Sequence, residues 1–129
     1  TIFFRRDHMT DSITTFFDAW GMIDDVPRLE AISAAFKSDG TYADPRSLDA
    51  LQGPAAIASY VNNFSAGVPG WTAKVVNLST IGTSHRATVA FGGMGPDGKE
   101  MVQHGQYFAD MDSDKIARMV GFVGIGEPE

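Results

Sequence analysis

Tyr42 and Asp44 stand two residues apart in Thr41-Tyr42-Ala43-Asp44-Pro45. Strand side chains alternate with period two, so in an extended segment this phenol and carboxylate share one face. Pro45 has no N–H to give a ladder, so the strand is expected to stop there with Asp44 at its tip. A carboxylate at a strand end beside a phenol suits acid/base work on a bound molecule. The same residue also suits a plainer role, ending a strand and capping the turn that follows. The local sequence supports both.

Two further polar groups fall in Gln103-His104-Gly105-Gln106-Tyr107-Phe108. By alternation His104, Gln106 and Phe108 share one strand face, while Gln103, Gly105, Tyr107 and Ala109 share the other. The expectation is that His104 and Gln106 meet Asp44 across one inner surface. Asp44, His104 and Tyr42 would then be the available acid/base groups, with Gln106 a neutral amide donor on the same surface. Phe17, Trp20, Phe108 and Met119 are expected to wall the pocket. Plainer readings stand beside these: His104 as a satisfied core histidine, Tyr42 as half-buried packing, Trp20 as core.

Other chemistries find little support. The chain has no cysteine, hence no thiolate nucleophile, disulfide framework or Cys zinc site. Its three histidines, at 8, 85 and 104, show no metal-ligand spacing, so no metal is expected. Gly92-Gly93-Met94-Gly95 lacks the Lys-Ser/Thr ending of a phosphate loop and leads into a strand, so it reads as a hairpin. The glycines from Gly121 to Gly126 are followed by no helix, which argues against a dinucleotide motif. No serine sits in a nucleophile elbow. No cofactor is expected.

The elements that must hold these groups can be read in order. Asp11 or Ser12 can cap a first helix in which Ile13, Phe16, Phe17 and Trp20 recur at helical spacing. Asp24 and Asp25 can cap a second, with Pro27 in its first turn and Leu29, Ile32 and Phe36 as its buried stripe. Ser38-Asp39-Gly40 reads as a turn, 41–44 as a short strand and 46–52 as a polar loop. Gly53-Pro54 opens a third helix with an apolar face of Ile57, Tyr60, Val61 and Phe64. Strands follow over 71–81, 85–92, 100–110 and 115–124, separated by turns at Gly82-Thr83-Ser84, Pro96-Asp97-Gly98-Lys99 and Asp112-Ser113-Asp114. Helices first and a strand meander after them predict an α+β domain, three helices covering one face of a curved, mostly antiparallel sheet. The inner surface of such a cone lines a pocket.

At 129 residues the chain fits one domain, placed at 9–126, large enough to bury a core unaided. Residues 1–8, ahead of Met9, read as an added or misassigned stretch or as an arm. Hydrophobic content of 43% and charged content of 20% are ordinary globular values. The net charge of −6, with Arg5-Arg6 the one basic pair, argues against nucleic acid or an anionic membrane as partner. No apolar run approaches the roughly 20 residues that span a bilayer. A cytoplasmic location fits the lack of cysteine. Mixed apolar character on both faces of the last strand suggests a second subunit against the sheet, hence a homodimer.

Taken in order, Phe36-Lys37-Ser38-Asp39-Gly40-Thr41-Tyr42-Ala43-Asp44-Pro45, Gly53-Pro54-Ala55-Ala56-Ile57 and the closing Lys115-Ile116-Ala117-Arg118 with Gly121-Phe122-Val123-Gly124 resemble the NTF2-like superfamily. The likeness is strongest to its SnoaL-like branch of polyketide-cyclase-type proteins and ketosteroid isomerase relatives, and it covers about residues 10–125. The resemblance implies a cone fold, a hydrophobic small-molecule ligand and, for Asp44, the place of the isomerase general base. It also marks departures. The isomerase's first-helix phenol falls near Phe16 or Phe17, which cannot donate, and its oxyanion-hole aspartate falls at or near Gln106. The resemblance therefore implies either an acid/base isomerase or cyclase acting on a carbonyl compound, or a non-catalytic ligand-binding or dimerisation module.

Overall fold

The computed structural model describes residues 12–47 and 49–124. The N-terminal stretch, the start at Met9, the cap at Asp11 and residues 125–126 lie outside them.

A helix over 12–19 (α1) is followed by α2 (Asp25–Ala35), β1 (Phe36–Ala43), β2 (Leu51–Gln52), α3 (Pro54–Gly67), β3 (Thr72–Ile81), β4 (Ser84–Met94), β5 (Glu100–Asp112) and β6 (Lys115–Val123). The strands form one open sheet in the order β2-β1-β6-β5-β4-β3. Neighbours are antiparallel except β1 and β6, which run parallel. The α+β reading holds, as does the hairpin at the glycine tract, where Met94 pairs with Glu100 and Gly98 takes φ +78°.

The long strands present alternate residues to the helices, and that face is the core. Ala87, Val89 and Phe91 on β4, Tyr107 and Ala109 on β5, and Ile116 and Met119 on β6 are buried. Ile13, Phe16 and Phe17 of α1 and Trp20 just after it pack onto them, as do Ile57 and Val61 of α3. Aromatic rings set much of this contact: Phe17 lies 4.8 Å from Tyr107, Phe16 4.9 Å from Phe36 and Trp20 5.3 Å from Phe91, all tilted or edge-on as ring quadrupoles prefer.

Four local expectations are corrected. Ser38-Asp39-Gly40 is not a turn: β1 begins at Phe36, directly after α2, and runs through it. Its pairing with β6 shifts between Phe36 and Thr41, and a Cβ at Gly40 would stand 2.9 Å from the Ile116 carbonyl oxygen. Gly40 is there to let two strands close, not to reverse the chain. Second, 46–52 is not all loop, since Leu51 and Gln52 pair with Tyr42 and Thr41. Third, the buried stripe of α2 is Arg28, Ile32 and Ala35, with Leu29 left 40% exposed. Fourth, Ser12 does not cap α1; its hydroxyl donates to the Asp114 carbonyl, tying the helix to the β5–β6 turn. Asp24 occupies the N-cap of α2 without a capping hydrogen bond from its side chain.

His85, on the core face of β4, is 3% exposed. Its Nδ1 meets Thr80 Oγ1 at 2.8 Å, while Nε2 is buried with no partner among the described residues. Burial lowers its pKa below the ordinary 6.5, with Asp110 pulling weakly the other way. A histidine held neutral in the fold takes up its proton more readily when unfolded. Its contribution is therefore complete above about pH 6.5 and is lost as pH falls below that value towards the lowered folded pKa. Thermal melts from pH 7.5 to 5 should show a falling Tm that is flatter in His85→Gln; equal slopes would contradict this role. No helix among the described residues is long and apolar enough to cross a membrane.

Candidate functional site

β1 delivers Tyr42 into the core and Asp44 just beyond its end. Tyr42 is fully buried, and its hydroxyl donates to Asp44 Oδ2 at 2.6 Å. The chain then turns at Pro45, and the backbone N–H groups of Arg46 and Ser47 donate to Asp44 Oδ1 at 2.9 and 3.0 Å. Ser47 Oγ closes the turn by accepting from the Asp44 N–H at 3.0 Å. From α3, Tyr60 reaches across and sets its hydroxyl 2.6 Å from Oδ1 and 2.8 Å from Oδ2. The turn-capping reading of Asp44 therefore holds: Oδ1 caps the turn, Oδ2 accepts from Tyr42, and Tyr60 lies against both oxygens.

A third phenol completes the group. Tyr107 of β5 stacks on Tyr42 with ring centroids 6.3 Å apart and planes 17° from parallel. Its ring lies flat over β6 because its register partner there is Gly121, where a Cβ would come within 2.2 Å of the ring. Burial is the main cause that raises the pKa of all three phenols, and the neighbouring Asp44 charge adds to it. Tyr42, Tyr60 and Tyr107 thus stay protonated at any ordinary pH. The site is one carboxylate facing neutral hydroxyl donors.

This group forms one end of a cavity of about 250 Å³. Trp20, Phe64, Val68, Trp71, Phe91 and Met101 supply its apolar lining, and Asp44, Arg46, Tyr60, Gln103 and Tyr107 its polar end. Trp71 is fixed by an indole N–H donated to the Met94 carbonyl at 3.2 Å. Among the described residues no three of His, Asp and Glu converge as metal ligands would.

The expected Asp44, His104 and Gln106 constellation does not form. Tyr107, two positions beyond Gly105, faces the core, and β4 and β5 stay in unbroken register from Ser84↔Asp110 to Met94↔Glu100. Alternation then turns His104, Gln106 and Phe108 to the outer face. His104 borders the cavity rim but is exposed, and Phe108 is 46% exposed on that outer face, where it meets Phe122 at 6.0 Å. Phe17 and Met119 are fully buried in the core without lining the cavity, while Trp20 does line it. The groups that do meet Asp44 are Tyr42, its expected neighbour, and Tyr60, which the sequence places only on the apolar face of the third helix, while Tyr107 stacks on Tyr42. A usable signal was present. Gly105, Tyr107 and Ala109 alternate a large ring with small residues, the pattern of a strand face pressed against other rings.

Comparison with known proteins agrees with this architecture. The SnoaL-like domain family matches residues 13–119. A candidate isomerase of the SnoaL-like family from Agrobacterium tumefaciens str. C58 superposes with TM-score 0.76 at 21% identity, over 91% of this chain and 97% of that one. A candidate SnoaL-like polyketide cyclase from Jannaschia sp. CCS1 gives TM-score 0.75 at 14% identity, over 90% and 85%. A candidate ketosteroid isomerase from Kribbella flavida DSM 17836 gives TM-score 0.68 at 17% identity, over 95% and 82%. At these identities the likeness is one of fold. No curated protein matches the sequence. With the family match spanning most of the described fold, the chain belongs to the SnoaL-like domain family.

Proposed function

We propose that this SnoaL-like protein is a small-molecule pocket protein that performs acid/base isomerisation or cyclisation on a hydrophobic carbonyl compound, with Asp44 as the general base. The observation that carries this reading is a carboxylate bound by two phenols at the polar end of an otherwise apolar cavity. Four donors serve Asp44: two phenols and two backbone N–H groups. A carboxylate offers about four lone-pair sites, so a base here must release one donor before it can take a proton.

Tyr60 is the donor to release. It is the half-buried one, and its single hydroxyl hydrogen lies within reach of both carboxylate oxygens. When a carbonyl compound enters, Tyr60 can turn its O–H from Asp44 to the substrate oxygen while the acidic C–H takes its place at the carboxylate. The proton moves to Asp44 and the charge moves to an oxygen held by a neutral phenol. Tyr42 stays on Oδ2 and the turn stays on Oδ1, so the base keeps its orientation throughout.

The same saturation favours a second reading, a ligand-binding module in which the carboxylate never releases Tyr60 and only orients the ligand. Solvent deuterium exchange separates the two. A panel of α-acidic ketones and 1,3-dicarbonyl compounds of one or two rings is incubated in D₂O with the protein. Catalysis predicts exchange above background for at least one compound; tight binding across the panel with no exchange would sink it. His104, on the outer face, should matter little, and His104→Gln should change that rate by less than about threefold against the 10²–10⁴ typical of a lost general base.

Two companion proposals concern assembly and location. Val102, Phe108 and Phe122 are each about half exposed on the outer sheet face, which supports pairing of two chains through it. A cytoplasmic location is proposed on the absence of cysteine.

A further inference from the structure

Arg46 borders the cavity beside Asp44 and Tyr60 and is the one lysine or arginine among the lining residues. It is exposed, and no carboxylate among the described residues lies within ion-pair distance of it. Its position is not free, however. Its backbone N–H is bound to Asp44 Oδ1, and the turn is closed by the Ser47 N–H donating to the Asp44 carbonyl at 3.2 Å. Its charge acts on both Tyr60 and Tyr107, drawing their pKa values down against the effect of burial. The guanidinium therefore sits within electrostatic reach of the two phenols that face the cavity.

In a chain of net charge −6, Arg46 is the one permanently charged cation among the described residues that line this cavity. A guanidinium left unpaired beside a carboxylate-phenol site matches a planar oxyanion through two parallel N–H donors. The cavity volume of about 250 Å³ falls just under the roughly 300–1,000 Å³ that encloses drug-sized ligands. It can enclose one or two fused rings, and the rings that line it favour a flat, apolar body.

We infer that Arg46 selects the ligand's charge, and that the pocket takes carbonyl compounds of one or two rings bearing a carboxylate, the anionic group on Arg46 and the ring body against Trp20, Phe64 and Phe91. This deepens the acid/base reading by naming a substrate class: the ketone makes its own α C–H labile, and the anionic group on Arg46 only orients that C–H towards Asp44. Charge recognition itself requires no catalysis.

The test uses two probes of one shape, 2-naphthoate and its neutral carboxamide, titrated calorimetrically into the full chain in 50 mM salt. The wild type should bind the carboxylate at least about tenfold more tightly than the amide, the size of one charge-assisted contact. Arg46→Gln should abolish that preference and leave amide affinity within about twofold, while Arg46→Lys should keep part of it, as a point charge without the fork would. Raising salt to 500 mM should weaken the carboxylate alone. Equal wild-type affinities, a preference that survives Arg46→Gln, or no binding of either probe at millimolar concentration would overturn the inference. Failure of deuterium exchange leaves these binding results standing, so the two readings fail separately.

Discussion

Replacing Arg28 by Met should destabilise the protein by about 3 kcal/mol or more, a large share of the roughly 5–15 kcal/mol that holds a domain together. Arg28 is 1% exposed in the first turn of α2 and ties three helices. Its Nε donates to the Ala19 carbonyl at 3.0 Å, and one terminal nitrogen donates to the Met22 carbonyl, so both bonds close the C-terminal end of α1. The terminal nitrogens also reach Asn62 Oδ1 at 2.7 Å and Ser65 Oγ at 3.1 Å on α3. Met keeps the volume and removes every donor. One buried and one partly buried carbonyl and two polar side chains then lose their partner, each a desolvation cost of about 1–3 kcal/mol where no water replaces it.

The nearby Asp25 contributes little by comparison. It stands 3.6 Å from the guanidinium but is 75% exposed, and such pairs are worth about 0–1 kcal/mol. Asp25→Ala should therefore change stability by less than about 1 kcal/mol while Arg28→Met is severe. Urea denaturation of the two variants decides this; similar midpoints for both would show that the internal bonds of Arg28 carry less than assigned. The site should register the loss too, because Ala19 precedes Trp20, which lines the cavity.

Arg28 also shows where sequence reading reaches its limit. The spacing 28, 32, 35 is an ordinary buried helical stripe, yet an arginine in it reads as surface and Leu29 takes its place. What buries Arg28 is a set of carbonyls and amides from two other helices, which no local pattern displays. Gly40 misleads in the same way. Ser38-Asp39-Gly40 has turn composition, but the glycine is required by a strand that lies parallel to it and arrives more than 70 residues later in sequence.

The order of elements, the third helix, the four long strands and the placement of Tyr42 beside Asp44 were all legible, because each follows from periodicity or from Pro and Gly punctuation. The facing of β5 was not. Both of its residue sets carry polar and aromatic members, so polarity could not choose between them. The choice is made by Tyr107, whose ring needs the bare backbone of Gly121 beneath it and the rings of Phe17 and Tyr42 beside it. That contact turns His104 outward.

The second large effect belongs to Asp44. Asn in its place keeps the size, and its amide oxygen can still accept from the turn N–H groups or from a phenol. It cannot take a proton from carbon. Loss of a general base costs about 10²–10⁴ in rate, whereas binding to the aromatic walls should persist. The most direct test is therefore one pair of numbers for Asp44→Asn on the best exchanging ketone: its deuterium incorporation rate and its dissociation constant. The account predicts a rate at least about 100-fold below wild type with affinity within about threefold. A rate within threefold of wild type at equal affinity would contradict it.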